Sequence, residues 1–189
     1  MVNPSTKLYV QLQPDDAGIE HLLSVQKTLG GDARPVRKGS LHLTILHIGL
    51  VSKLTDSLRP YTTVPDADIL RALDSLVDRL SGSITTLGFS GCSLRPIGYD
   101  FFGASGSTYV VRYENPAALC SLHAACLGHL REFITEAGVS DVQAYMEQDT
   151  NLHYALTLKP HVALARSYHG TGSAAQLQPM TFRQMPIVY

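Results

Sequence analysis

Strong charge of either sign is missing from this sequence. Its 15 lysines and arginines almost balance its 16 aspartates and glutamates, charged residues make up 16% of the chain, and the formal net charge is −1. Proteins that hold long nucleic acids neutralise many phosphates with lysine and arginine, and they usually carry a clear excess of positive charge. The composition therefore excludes a general electrostatic surface for long duplex nucleic acid.

Cysteine pairs and long apolar runs are also missing. The three cysteines, Cys92, Cys120 and Cys126, form no Cys-x-x-Cys pair, and an odd number does not suit a complete disulfide framework. No apolar run approaches about 18 residues, the length associated with a membrane span, and the first residues contain no signal-like apolar block. We therefore expect a soluble protein of a reducing compartment, the cytoplasm, with no membrane partner.

The sequence contains no common cofactor or metal motif. It has no Gly-x-x-x-x-Gly-Lys-Ser/Thr phosphate loop, no Gly-x-Gly-x-x-Gly fingerprint and no His-Glu-x-x-His zinc helix. Eight histidines are present, yet no two have the i, i+4 spacing that places two ligands on one helix face. His42 and His47 are five positions apart, which predicts opposite faces of a strand. We therefore expect neither a metal site nor a cofactor.

Two short apolar runs share one layout. They span residues 40–49 and 159–168, and each has one histidine near its start, His42 and His161. A histidine in an apolar strand is more often a hydrogen-bonded core or edge residue than a catalyst, and either run alone favours that interpretation. Because the two histidines are 119 positions apart, however, matching strands from two halves of a domain would set their imidazoles face to face. Such a pair suits proton transfer at both ends of one bond.

The tetrapeptides His42-Leu-Thr-Ile and His161-Val-Ala-Leu resemble the paired motifs of the 2H phosphoesterase superfamily. This superfamily contains bacterial 2′-5′ RNA ligase-like proteins and cyclic phosphodiesterases, and its motif is His-apolar-Thr/Ser-apolar. The resemblance covers most of the chain, because residues 7–12 fit the opening strand of such proteins and residues 181–189 fit a closing strand. It implies a single bilobal α/β domain over residues 1–189, with two antiparallel sheet lobes around a central cleft and helices on the outside.

The resemblance also implies an activity. A 2H phosphodiesterase is a metal-independent hydrolase in which His42 and His161 would act as general acid and base, while Thr44 would donate a hydrogen bond to a phosphate oxygen. The implied substrates are 2′,3′-cyclic phosphates, 2′-5′ linkages or cyclic (oligo)nucleotides, and we expect a monomer acting on a small nucleotide or a short RNA end. Ala163 departs from the motif because it offers no hydroxyl. That departure favours an alternative, a nucleotide-binding or sequestering protein with weak or no turnover.

Arg166 is the candidate that would compensate for Ala163. Bacterial members of the superfamily carry an arginine five residues after the second histidine, and Arg166 matches that position. In a regular strand its side chain would point away from the face of His161, so the strand must contain a bulge or end there. The alternative is a structural arginine on the core face.

Further candidate substrate-binding residues are aromatic or polar. Tyr9 and Gln11 lie on the polar side of the first alternating strand, and Tyr168 ends the second apolar run. Tyr99 and Phe102 fall in a stretch rich in glycine and aromatic residues, which predicts a loop whose rings stack on a base or pack into the core.

Three other segments have less definite predictions. The basic stretch of Arg34, Arg37 and Lys38 suits a solvated loop better than a phosphate site. Residues 50–64 are polar and contain proline, which predicts a connection, and residues 139–157 lack a clean period and are a candidate lid beside the second histidine.

Overall fold

Eight strands and five helices make up the computed structural model, which describes residues 3–87, 91–103, 105–170 and 175–184, without the side chain of Gln184. The strands are β1 (Lys7–Pro14), β2 (Arg34–Pro35), β3 (Leu43–Leu50), β4 (Cys92–Leu94), β5 (Pro96–Phe102), β6 (Thr108–Tyr113), β7 (His161–Arg166) and β8 (Met180–Gln184). The helices are α1 (Asp16–Gln26), α2 (Val51–Leu58), α3 (Asp66–Thr86), α4 (Ala117–Glu136) and α5 (Val142–Gln148).

All strands belong to one antiparallel sheet. Its order is β4-β8-β1-β3-β7-β6-β5, and the short β2 pairs with β7 beside this path. One residue pair, Leu43 with Val162, joins β3 to β7, whereas β1 and β3, and likewise β6 and β7, pair over several residues. The predicted α/β class is therefore confirmed, and the two predicted lobes are the two parts of the sheet on either side of this pair.

Strand β8 lies between two strands from earlier in the chain. It pairs with β4 through residues 180–182 and with β1 through residues 182–184. Residues 185–189 of the predicted closing strand lie outside the described part of the chain. The strands β4, β8, β1 and β3 therefore form a continuous part of the sheet only when β8 is in place.

Helices α3 and α4 pack together through the stripes that apolar spacing predicts. Each begins just after a proline in extended backbone, Pro65 or Pro116, which suits a residue that donates no N–H. The buried α3 residues are Ile69, Leu73, Leu76, Val77, Leu80 and Ile84, and those of α4 include Leu119, Leu122, Cys126, Leu130 and Phe133. Each fully buried leucine contributes roughly 1.5–3 kcal/mol of transfer free energy.

Three segments differ from their predictions. Residues 51–58 form α2 rather than a connection, because Val51, Leu54 and Leu58 bury one face of the helix. The stretch predicted as a glycine-rich and aromatic loop is mostly strand β5, which forms a hairpin with β6. Residues 142–148 form α5, and residues 152–156 form a 3-10 turn. Much of the predicted lid is thus packed structure, with Tyr145, Met146 and Leu152 buried.

Candidate active site

The two motif histidines lie at the junction between the two parts of the sheet. His42 directly precedes β3 and His161 begins β7, so each is the residue before a member of the Leu43–Val162 pair. In antiparallel pairing this register sets Thr44 opposite His161 and His42 opposite Ala163. These four residues are partly exposed, whereas Leu43 and Val162 are buried on the other face. The fold therefore brings both motifs to one surface.

Burial and charge set the protonation of the two imidazoles. Burial lowers the pKa of His42, and the nearby charge of His161 lowers it further. Burial also lowers the pKa of His161, whose Nδ1 donates a hydrogen bond to the carbonyl oxygen of Lys159 at 2.7 Å. Since a carbonyl only accepts, Nδ1 of His161 holds a proton and its Nε2 is the nitrogen that gains or loses one. The two imidazoles thus lie near each other across the Leu43–Val162 pair, and a positive charge on His161 disfavours one on His42.

A pocket of about 400 Å³ opens beside the histidine pair. Thr44 and His161 line it together with Phe102 from β5 and Tyr154 from the 3-10 turn. The ring of Phe102 lies 4.6 Å from that of His161, centroid to centroid, and Tyr154 is 62% exposed. Aromatic rings beside an imidazole provide flat surfaces on which a nucleobase can stack.

His47 also lines this pocket, which contradicts the predicted opposite face. Gln11 pairs with Thr44 and Val10 pairs with Leu46, so Ile45 is an extra residue that forms a bulge in β3. The bulge reverses the alternation, and His47 then shares the face of Thr44. The residues Ile45 and Leu46 are both buried, and two adjacent apolar residues in a half-exposed strand are the sequence signal that indicates such a bulge.

Arg166 turns towards the histidines through a second bulge. Val110 pairs with Ala163 and Tyr109 pairs with Ala165, so Leu164 is the extra residue in β7. After burial and the charge of His161, the charge of Arg166 contributes to the lowered pKa of His42, and it partly offsets the rise that burial causes in the pKa of Tyr9, so the guanidinium acts on both groups. The structure thus contains the bulge that strict alternation requires for Arg166 to reach this face.

The β1 candidates lie beside the same residues. The ring of Tyr9 lies 5.1 Å from that of His47, and burial raises the pKa of the Tyr9 hydroxyl, so this phenol is protonated at neutral pH. Gln11 is buried and is the cross-strand partner of Thr44. Both side chains thus border the histidine surface from the neighbouring strand.

Tyr99 and Tyr168 are not brought to the pocket. Tyr99 stacks on Tyr109 at 5.2 Å and donates a hydrogen bond from its hydroxyl to the carbonyl oxygen of Ala175. Tyr168 is buried and packs edge-on against the same Tyr109. Tyr99 is three positions before Phe102 in a strand, so the two rings point to opposite faces. Neither ring lines the pocket beside the histidines, and substrate contact by Tyr99 and Tyr168 stays a prediction.

The described residues contain no group of three or more His, Cys, Asp and Glu side chains that could hold a metal ion. Within the same part of the chain, no helix combines the length and the apolar character needed to cross a bilayer.

Comparison with known proteins identifies the fold. No protein-family model matches the chain, and no curated protein sequence matches it. Among solved structures, TT0787 of Thermus thermophilus is 19% identical, with a TM-score of 0.51 over 94% of this chain and 81% of that one. This similarity shows the fold, and that fold agrees with the one that the resemblance to 2H phosphoesterases implies. LigT of E. coli in apo form is 18% identical over 94% of this chain and 80% of its own, with a TM-score of 0.49. LigT complexed with 3′-AMP is 20% identical over 94% and 79%, with a TM-score of 0.48. In this fold the two histidine motifs meet at the centre of the sheet.

Proposed function

We propose that this protein is a metal-independent phosphodiesterase that acts on small nucleotides or short RNA ends. Its substrates would carry a 2′,3′-cyclic phosphate, a 2′-5′ linkage or a cyclic phosphodiester. The observation that carries the proposal is the meeting of His42 and His161 on one face of the sheet, across the Leu43–Val162 pair. Two imidazoles on one surface are suited to act at both ends of a single phosphodiester bond.

The reaction needs one neutral and one charged imidazole. The neutral imidazole accepts a proton from water as the water oxygen forms a bond to phosphorus. The bond from phosphorus to the leaving oxygen breaks, and the imidazolium gives its proton to that oxygen. Exchange with solvent then restores the starting protonation of the pair, and no other reactant is consumed.

Donors around the pair would hold the phosphate. The Thr44 hydroxyl lies opposite His161, and the guanidinium of Arg166 would offer two charge-assisted hydrogen bonds to non-bridging oxygens. The phenol of Tyr9, protonated at neutral pH, is a further donor on this surface. Phe102 and Tyr154 would receive the base in the adjoining pocket.

Ala163 supports a second candidate function, nucleotide binding with little or no turnover. It lies opposite His42 in the register, where a hydroxyl would otherwise face the reacting phosphate. Incubation with 2′,3′-cyclic mononucleotides, 2′-5′ dinucleotides and cyclic dinucleotides separates the two functions. We expect products from at least one substrate, formed at a rate that a chelator does not change. Binding without products would support the second function.

Substitution of each histidine tests the roles in the pair. His42→Ala and His161→Ala should each lower turnover by roughly 10²–10⁴-fold. The loss of transition-state stabilisation in the double variant should be much smaller than the sum of the two single losses, because the residues act as one unit. The matched control is His129→Ala, since His129 is on α4 and bonds Ser83 and Glu132, away from this surface. Near-native turnover in a folded His42 or His161 variant would contradict the assignment.

A further inference from the structure

A second pocket, of about 320 Å³, is lined by three arginines. Arg34 and Arg37 contribute from β2 and the residues after it, and Arg166 contributes from the end of β7. Ser40 also lines this pocket, and its carbonyl oxygen accepts a hydrogen bond from the ring of His42. Here we call this cavity the arginine pocket, and we call the pocket that Thr44, Phe102, Tyr154 and His161 line the aromatic pocket.

The arginine pocket and the aromatic pocket lie on either side of the histidine pair. Along the first motif, Ser40 lines the arginine pocket, Thr44 lines the aromatic pocket, and His42 lies between them in the chain. Along β7, His161 lines the aromatic pocket and Arg166 lines the arginine pocket. A molecule with its reacting phosphate at the histidines would therefore have aromatic rings on one side and guanidinium groups on the other.

The segment that carries Arg34 and Arg37 is fastened to β7. Arg34 is the cross-strand partner of Arg166, and the backbone N–H of Val36 donates to the carbonyl oxygen of Leu164 at 2.8 Å. The buried amide of Gln26 donates to the carbonyl oxygens of Val36 and Leu164, at 2.9 and 2.7 Å, and so clamps the two strands. The backbone that carries the arginines is thus held by buried hydrogen bonds, unlike that of a freely solvated loop, while the three arginine side chains are exposed.

The charges in this pocket have no partners within the described residues. No carboxylate there lies within 4.0 Å of Arg34, Arg37 or Arg166, whereas the adjacent Lys38 forms an ion pair with Glu20 at 2.8 Å. Three like charges around one cavity repel one another, and a multiply charged oxyanion offsets that repulsion. In a chain with a net charge of −1, this arrangement needs a specific explanation.

We propose that Arg34 and Arg37 bind a second phosphate of the substrate. The proposal rests on the proposed function for the position of the reacting phosphate at His42 and His161. It narrows the substrate class to nucleotides with two phosphates, such as a 5′-phosphorylated nucleotide or a short RNA end whose next phosphate enters the arginine pocket. A cyclic mononucleotide with one phosphate would leave this pocket without a ligand.

Equilibrium binding of two ligands that differ by one phosphate tests the proposal. Isothermal titration calorimetry would compare adenosine 3′-monophosphate with adenosine 3′,5′-bisphosphate. We expect the full-length protein to bind the bisphosphate roughly tenfold or more tightly, because the added contacts are charge-assisted and bidentate. In Arg37→Ala and Arg34→Ala the ratio of the two affinities should fall towards one, and Arg37→Lys should give an intermediate ratio.

Arg131→Ala is the matched control, because Arg131 lies on α4 and bonds Gln143 away from both pockets. It should keep the native ratio. Equal affinities for the two ligands in the native protein would overturn the proposal, as would an unchanged ratio in both alanine variants. Equal weakening of both ligands would also overturn it, because the arginines would then serve the reacting phosphate. Circular dichroism confirms folding, and since binding needs no turnover, an inactive protein would contradict the proposed hydrolysis without affecting this measurement.

Discussion

Ala163 is the residue at which this chain departs from the His-apolar-Thr/Ser-apolar motif that it resembles. Thr44 presents a hydroxyl opposite His161, but Ala163 presents only a methyl group opposite His42. The bulge at Leu164 turns Arg166 to the same face, where its charge acts on His42. A guanidinium thus lies close to the place where a second hydroxyl would stand.

Replacement of Arg166 by lysine tests whether this guanidinium holds phosphate. Lysine keeps the charge but loses the planar pair of donors, so we expect Arg166→Lys to weaken substrate binding by about tenfold. Ala163→Thr on that background should recover part of the loss by supplying a hydroxyl. Steady-state KM and calorimetric Kd measure both effects, with Arg131→Lys as the control. Unchanged constants in Arg166→Lys would leave Arg166 with a structural role alone.

The rate should show a bell-shaped pH dependence whose maximum lies below the ordinary imidazole pKa of about 6.5. Burial lowers the pKa of both His42 and His161, so the pH range with one charged and one neutral ring moves to the acid side. The profile of kcat/KM reports the free protein, and the anionic substrate should shift the kcat profile to higher pH. A rate that rises steadily with pH and is lost with chelator would indicate a metal-bound hydroxide instead.

Strand alternation predicts which face His42 and Thr44 share, but it does not predict the faces of residues beyond a bulge. The β3 bulge at Ile45 brings His47 into the pocket, and the β7 bulge at Leu164 brings Arg166 to the histidines. Each bulge depends on pairing with another strand, which a single stretch of sequence does not contain. The motif histidines could therefore be identified from sequence, whereas for His47 the adjacent apolar pair Ile45-Leu46 indicates a bulge and only the pairing with β1 shows where it lies.

At the scale of elements, regular helices were predictable and short or edge elements were not. The stripes of α3 and α4 are long enough for their period to be clear. Helix α2 has only eight residues, and polar residues surround its buried Val51, Leu54 and Leu58. Strand β5 is at the edge of the sheet and is partly exposed, so it lacks the apolar alternation of a central strand. Pairing with β6, rather than local pattern, makes it a strand.

The end of α4 gives a paired test of backbone conformation. Gly138 has a φ of +88°, and a Cβ there would lie 2.6 Å from Oγ1 of Thr62 and 3.0 Å from Val64. That hydroxyl oxygen accepts a hydrogen bond from the Val64 N–H, so it cannot move freely. We expect Gly138→Ala to lower the free energy of unfolding by about 2–4 kcal/mol through strain and overlap.

The matched variant is Gly128→Ala, inside the same helix. A Cβ at Gly128 meets nothing within 4 Å, and alanine has a higher helix propensity, so this change should stabilise the protein by about 0.5–1 kcal/mol. Urea unfolding of both variants measures the difference. A Gly138→Ala protein as stable as the Gly128→Ala protein would show that this helix end does not have the described geometry.

At the scale of the whole molecule, the buried histidines connect stability to pH. Burial lowers the pKa of His42, His47 and His161 in the folded state, so below about pH 6.5 the unfolded chain binds more protons. This part of the stability is present above pH 6.5 and is lost as pH falls through the lowered values. We expect a smaller free energy of unfolding at pH 5 than at pH 7, measured by urea titration. His47→Phe removes one of the three imidazoles and should make the free energy of unfolding depend less on pH. The same pH dependence in that variant as in the native protein would contradict burial of His47 as a cause.

The position of β8 has a consequence for synthesis on the ribosome. Residues 180–184 fill the gap between β4 and β1, so these two strands keep unpaired edges until that segment emerges. At translation rates of about 5–20 residues per second, the wait between β1 and β8 is roughly 10–30 s. The surface that His42 and His161 share also forms late, because β7 is synthesised only shortly before β8. The β1 edge that β8 covers is therefore exposed throughout that interval, and β4 is unpaired from residue 92 onwards, so a chaperone that covers strand edges would be most needed then.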